Sequence, residues 1–197
     1  MSGSLGFTFE LGPDFDGPTQ RGYQGPVGPF GQVRVYRPHV DLLDGPLRQV
    51  LLEGEGFPAT EFMGGHGVLP SLDGGWMKVD ETLVEIELKV RSLRKGSRSL
   101  EMRYRGRRYT YTSSGMSKEA ELNRKGARVR LDRGRYLPES GGGTRVGEAG
   151  GDELDATDLA IALVLEEVDR SALTISGALL AVPMNFLFGR GRGESTE

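Results

Sequence analysis

No cysteine occurs in the 197 residues. That removes disulfides, thiolate nucleophiles and every cysteine-ligated metal site at once. Histidine is nearly absent too: His39 and His66 are the only two, so a catalytic triad or a zinc site would have to draw on them. His39 follows a proline, His66 stands in a glycine loop, and neither has a partner at ligand spacing. Both read as structural, and no cofactor or metal is expected. The chain also lacks an apolar run long enough to span a bilayer, because the zone from Leu159 to Phe188 is broken by Glu166, Glu167, Asp169 and Arg170. A dominant charge is missing as well, since a net charge of −3 gives no global pull toward nucleic acid or membrane. The first residues carry neither a basic n-region nor an apolar h-region, so the expectation is a soluble, cytoplasmic protein without a transmembrane segment.

What the chain does have is glycine and proline, 31 and 10 of them, unevenly spread. Residues 1–32 are dense in both, which argues against a helix or a central strand. Leu5, Phe7, Phe9, Leu11, Phe15, Tyr23 and Phe30 are interleaved among these breakers. Thin backbone with sparse aromatic anchors predicts an extended arm over 1–32. A single β-rich domain over 33–188 and a polar tail over 189–197 complete the division.

Within that domain the strongest signal is alternation. Gln32–Arg37 is a short strand, Leu42–Leu52 fits a strand or a short helix, and 53–75 is loop-rich. Val84, Ile86, Leu88 and Val90 alternate with charged residues, and after a turn near 94–98 so do Leu100, Met102 and Tyr104. Beyond Gly106 the apolar parity moves to Tyr109 and Tyr111, the mark of a β-bulge. Ala127, Val129 and Leu131 form another strand, and 138–153 reads as a loop. Asp155 or Thr157 can then cap a helix over 158–168. Its run from Leu159 to Leu165 is apolar on every side, so it must be surrounded by protein. The fold expected is mainly β, an antiparallel barrel or sandwich with one buried apolar helix near the C-terminus.

Few residues suggest chemistry. Asp152, Asp155 and Asp158 recur before the helix and read as caps. Glu166, Glu167 and Asp169 read as its polar end. Gly64-Gly65-His66-Gly67 and Gly141-Gly142-Gly143 lack the lysine and the strand–helix setting of a phosphate loop. Gly189-Arg190-Gly191-Arg192-Gly193 is too short an arginine–glycine tract to carry an RNA assignment. The basic stretch is more informative. Lys89 to Arg135 holds sixteen Lys or Arg against four acids, so an anion-binding face is worth locating. Arg103, Arg105, Arg108, Arg128 and Arg130 are assigned to the polar face of the sheet, with Tyr109 and Tyr111 beside them, as a surface for an anionic lipid or a polyanion.

The segment Asp158-Leu-Ala-Ile-Ala-Leu-Val-Leu-Glu-Glu-Val168, following a run of strands, resembles the central helix of the tubby-like and LURP-one-related proteins. Arg107-Arg108-Tyr109-Thr110-Tyr111 resembles their arginine- and tyrosine-rich strands. The likeness covers the C-terminal half of the chain. It implies a non-enzymatic β-barrel module whose relatives include phosphoinositide binders. Two functions are carried forward. The first is a non-catalytic assembly protein that contacts identical or different subunits through the N-terminal arm and the apolar C-terminal segment. The second is a tubby-like module that binds an anionic lipid or polyanion.

Overall fold

The computed structural model describes residues 5–16, 20–38, 47–65, 69–90, 98–113, 119–137 and 142–173. His39, His66, most of the 94–98 turn and everything after Leu173, including the apolar segment 174–188 and the polar tail, lie outside these residues.

The strands are β1 (Leu5–Asp16), β2 (Gln20–Pro26), β3 (Gln32–Pro38), β4 (Arg48–Glu53), β5 (Thr60–Gly64) and β6 (Trp76–Val79). After them come β7 (Thr82–Val90), β8 (Arg98–Tyr104), β9 (Arg107–Ser113), β10 (Ala120–Arg124), β11 (Ala127–Leu137) and β12 (Gly142–Gly151). Each pairs antiparallel with its sequence neighbours, and β1 pairs with β12, closing a twelve-stranded barrel. The mainly β, antiparallel barrel expected from the sequence is therefore the fold.

Helix α1 (Ala156–Glu166) fills the barrel, and every residue from Asp158 to Glu166 is buried. It packs against β4, β5, β10 and β11. Inward-facing Val50, Leu52, Phe62, Leu122, Val129 and Leu131 surround Leu159, Ile161, Leu163 and Leu165 in one continuous core. Burying each such side chain stabilises the fold by about 1.5–3 kcal/mol. Short turns join the strands where α1 begins, and a chain of tilted rings lines that end, with centroids 6.1 Å apart for Phe7–Phe9 and Phe7–Phe30 and 6.3 Å for Phe30–Phe57.

Four expectations need correction. Residues 5–16 and 20–26 are not a projecting arm; they are β1 and β2 of the barrel wall. Phe7, Phe9 and Leu11 carry the strand period there, and Gly22 and Gly25 of β2 allow close packing on β3 and β1. The loop expected over 138–153 contains β12, where small residues answer large ones across the interface with β1. A Cβ on Gly147 would lie 2.1 Å from the Phe9 ring, so only glycine fits. The loop-rich 53–75 holds β5, while of the strand and helix both open for 42–52 the strand is found, as β4 from Arg48. Finally, the parity change at Gly106 is a tight hairpin and not a bulge: Tyr104 pairs with Arg107, and Arg105 and Gly106 take φ of 47° and 78°.

Candidate functional site

The seven residues assigned to a basic face separate into three groups. Tyr109 and Tyr111 point into the barrel, 1% and 0% exposed, because the hairpin at Gly106 sets the inward face of β9 on them. They are core residues and do not belong to the outer surface. The Tyr111 hydroxyl accepts a hydrogen bond from Arg170 Nη1 at 3.2 Å, and burial raises its pKa.

Arg128 and Arg130 do face outward, but each meets an acid. Arg128 forks onto Glu121, with Nε at 2.9 Å from Oε2, and Arg130 Nη2 lies 2.5 Å from Glu119 Oε1. Alternating signs across β10, β11 and β12 leave that part of the wall close to neutral.

Arg103, Arg105 and Arg108 remain together on the β8–β9 hairpin. Arg103 stands directly opposite Arg108, its nearest acid being Glu85 at 4.0 Å. The Arg105 guanidinium lies 5.1 Å from the centre of the Tyr104 ring. Arg103 and Arg108 also line a shallow depression of about 360 Å³ with Glu85, Glu87, Glu101 and Thr110.

The sequence marked the acids at the two ends of α1 as caps and a polar end, but not the arginines that meet them. At its start, Asp155 caps Thr157 N–H at 3.0 Å and Asp158 N–H at 3.3 Å, while Asp158 accepts the Asp155 N–H at 2.9 Å. Arg124 grips Asp158 through two bonds of 2.6 and 2.9 Å, with the two side chains 6% and 1% exposed. Arg107 Nη1 reaches Asp155 Oδ2 at 2.5 Å. Burial pushes the Asp158 carboxyl above the usual range, against the pull of Arg124. These groups satisfy one another and act as a structural lock.

At its end, α1 finishes in Glu166 and Glu167, both nearly inaccessible. Arg170 Nη1 lies 2.6 Å from Glu166, Arg145 Nη2 3.3 Å from Glu167, and Arg37 Nε 3.3 Å from Glu167. Arg145 also covers the Tyr23 ring at 4.2 Å. Cations suit this position because the helix dipole is negative here. Arg133 and Arg145 occupy inward positions of β11 and β12 in line with apolar or small residues, a break in pattern that only the barrel register makes readable.

Burial raises the Glu166 carboxyl above its ordinary 4.5, outweighing Arg170 and Arg145, with Glu167 adding to the rise. A raised folded value means that the folded state takes up the proton first. Glu166 therefore lowers stability above that value, and the loss is relieved as pH falls through it toward 4.5. Wild type should gain stability relative to Glu166→Gln as pH drops through this window, measured by urea titration at a series of pH values. A wild type that loses ground over the same window would contradict the burial argument.

Among the described residues no group of acids or histidines is arranged to hold a metal ion, and no helix is long and apolar enough to cross a membrane. Asp155 and Asp158 are engaged as caps and ion pairs, and Asp152 is exposed. Comparison with family models, curated proteins and solved structures finds no match, so the chemistry of these residues alone carries the functional argument.

Proposed function

We propose that this chain is a non-catalytic binding module, tubby-like in plan, that takes an anionic lipid headgroup or comparable polyanion on Arg103, Arg105 and Arg108. The observation that carries it is the pairing of Arg103 with Arg108 across the β8–β9 hairpin. Like charges directly opposite each other destabilise a sheet, and an anion seated between them reverses that cost. The side chain of Arg103 is 61% exposed, so the charge is presented to solvent. A filled interior supports the same reading, since side chains from α1 occupy the space where a hollow barrel holds its ligand. Assembly through the N-terminal segment draws less support, because residues 5–16 and 20–26 are engaged in closing the barrel.

Each arginine near an anionic membrane contributes about 1 kcal/mol. Reversing Arg103, Arg105 and Arg108 together to Glu should reduce binding to phosphatidylserine vesicles by roughly a hundredfold or more. Co-sedimentation at two salt concentrations measures this. Equal binding by the variant, or no salt-sensitive binding by wild type, would sink the proposal. Binding to heparin or RNA but not to vesicles would identify a soluble polyanion as the ligand.

A further inference from the structure

At the rim where α1 ends, two cross-strand pairs set arginine against arginine. Arg21 of β2 stands opposite Arg37 of β3, and Arg133 of β11 stands opposite Arg145 of β12. Only β1 separates β12 from β2 in the barrel, so the two pairs occupy neighbouring parts of one wall. Tyr23 lies under the Arg145 guanidinium, which stands 4.2 Å from its ring centre, and feels the charge of Glu167 as well as those of Arg145, Arg37 and Arg133. Arg170 adds a further guanidinium from just past the helix.

Among the described residues, the acids at this rim are few. Glu166 and Glu167 are already shared among Arg37, Arg145 and Arg170. Asp169 instead accepts the Ser171 N–H at 2.9 Å. Among the described residues, no carboxylate lies within ion-pair distance of Arg21, Arg48 or Arg133. Arg48 starts β4 opposite Gly64, which packs on the backbone of Ser71, itself bridged to Asp169. Its Nη1 is buried with no hydrogen-bond partner. A buried, unpartnered guanidinium nitrogen is costly by itself. Beside two like-charge pairs, it marks a place built to receive negative charge.

We propose that this rim binds a phosphate-type oxyanion, a phosphate monoester or pyrophosphate group, with Arg21 and Arg133 as its ligands and Arg48 adding positive charge further along the same rim. The site goes beyond the hairpin surface proposed above and lies at the opposite end of the barrel. Arginine suits the task, since its planar fork matches phosphate oxygens in bidentate geometry. Arg37, Arg145 and Arg170 form the inner wall, held in place by Glu166 and Glu167. Arg21 and Arg133, exposed at the rim, supply charge that no described carboxylate pairs with.

The test is a calorimetric titration of the full chain with pyrophosphate, against chloride at matched ionic strength, for wild type and Arg21→Gln/Arg133→Gln. Losing two charge-assisted contacts should weaken pyrophosphate binding at least about tenfold. Without the anion, the same double variant should melt no lower than wild type, because it relieves both like-charge pairs. A merely structural role for these arginines predicts the reverse, a lower melting temperature with unchanged affinity. Pyrophosphate binding no stronger than chloride, or undiminished binding by the double variant, would overturn the proposal. So would a loss seen only on reversing Arg103, Arg105 and Arg108, since that would return the anion to the hairpin. Phosphatidic acid vesicles form the second arm. Retention lost in Arg21→Gln/Arg133→Gln would make the phosphate a lipid headgroup, and pyrophosphate binding alone would make the ligand soluble.

Discussion

Replacing Arg124 with methionine should destabilise the barrel by about 3–5 kcal/mol, the cost of leaving a buried charge without its partner. The charge left behind is Asp158, 1% exposed and otherwise bonded only to the Asp155 N–H of its own cap. Whole domains are stable by roughly 5–15 kcal/mol, so this one substitution removes a large fraction. Methionine keeps the apolar stem of the side chain, which confines the loss to the guanidinium. Urea denaturation of Arg124→Met beside Arg124→Met/Asp158→Asn separates the causes. The asparagine still accepts the Asp155 N–H but carries no charge, so the double variant should recover part of the loss. A single variant within about 1 kcal/mol of wild type would place this pair with ordinary surface salt bridges.

Alanine substitutions along α1 should be costly whichever way the side chain points. Leu159, Ile161, Leu163 and Leu165 are each 0–1% exposed, and successive members of this set lie about 200° apart around the helix. Taken singly, each truncation to alanine should cost about 2–5 kcal/mol. A helix lying on a sheet would show a solvent side where the same change costs under about 0.5 kcal/mol. A near-neutral result at any of the four positions would contradict a helix walled on all sides. Chemical denaturation midpoints at constant m-value are the readout.

The helix was legible because nothing else explains it: an unbroken apolar run from Leu159 to Leu165 has no polar side to show to water. Its observed span, Ala156–Glu166, starts two residues before the expected 158, since Asp155 and not Thr157 is the cap. The β7–β8 hairpin was equally clear, its period of two unobscured by breakers. Residues 5–26 were misread because glycine and proline density was allowed to outweigh the alternation of Phe7, Phe9 and Leu11. In the closed barrel Gly22 and Gly25 are places of close approach. Tyr109 and Tyr111 were grouped with the arginines by their nearness in the chain, although the parity shift after Gly106, which a hairpin and a bulge write alike, already puts them on the apolar face. The arginines at the end of α1 were not legible at all. Arg37, Arg145 and Arg170 are scattered along the chain, and only strand register brings them to the same two carboxylates.

Closure of β1 onto β12 also dictates an order of events during synthesis. Leu5 must wait for Gly151, its partner across the seam, and the side chains that fill the interior are translated later still. A ribosome making this protein releases a curling, one-sided greasy sheet long before the plug that covers it exists. Such sheets fold slowly, in milliseconds to seconds, because their defining contacts are distant in sequence. Exposed strand edges and apolar faces are then open to other chains. Nascent-chain yield should thus depend on holding the twelve strands apart from other chains until Glu166 has emerged.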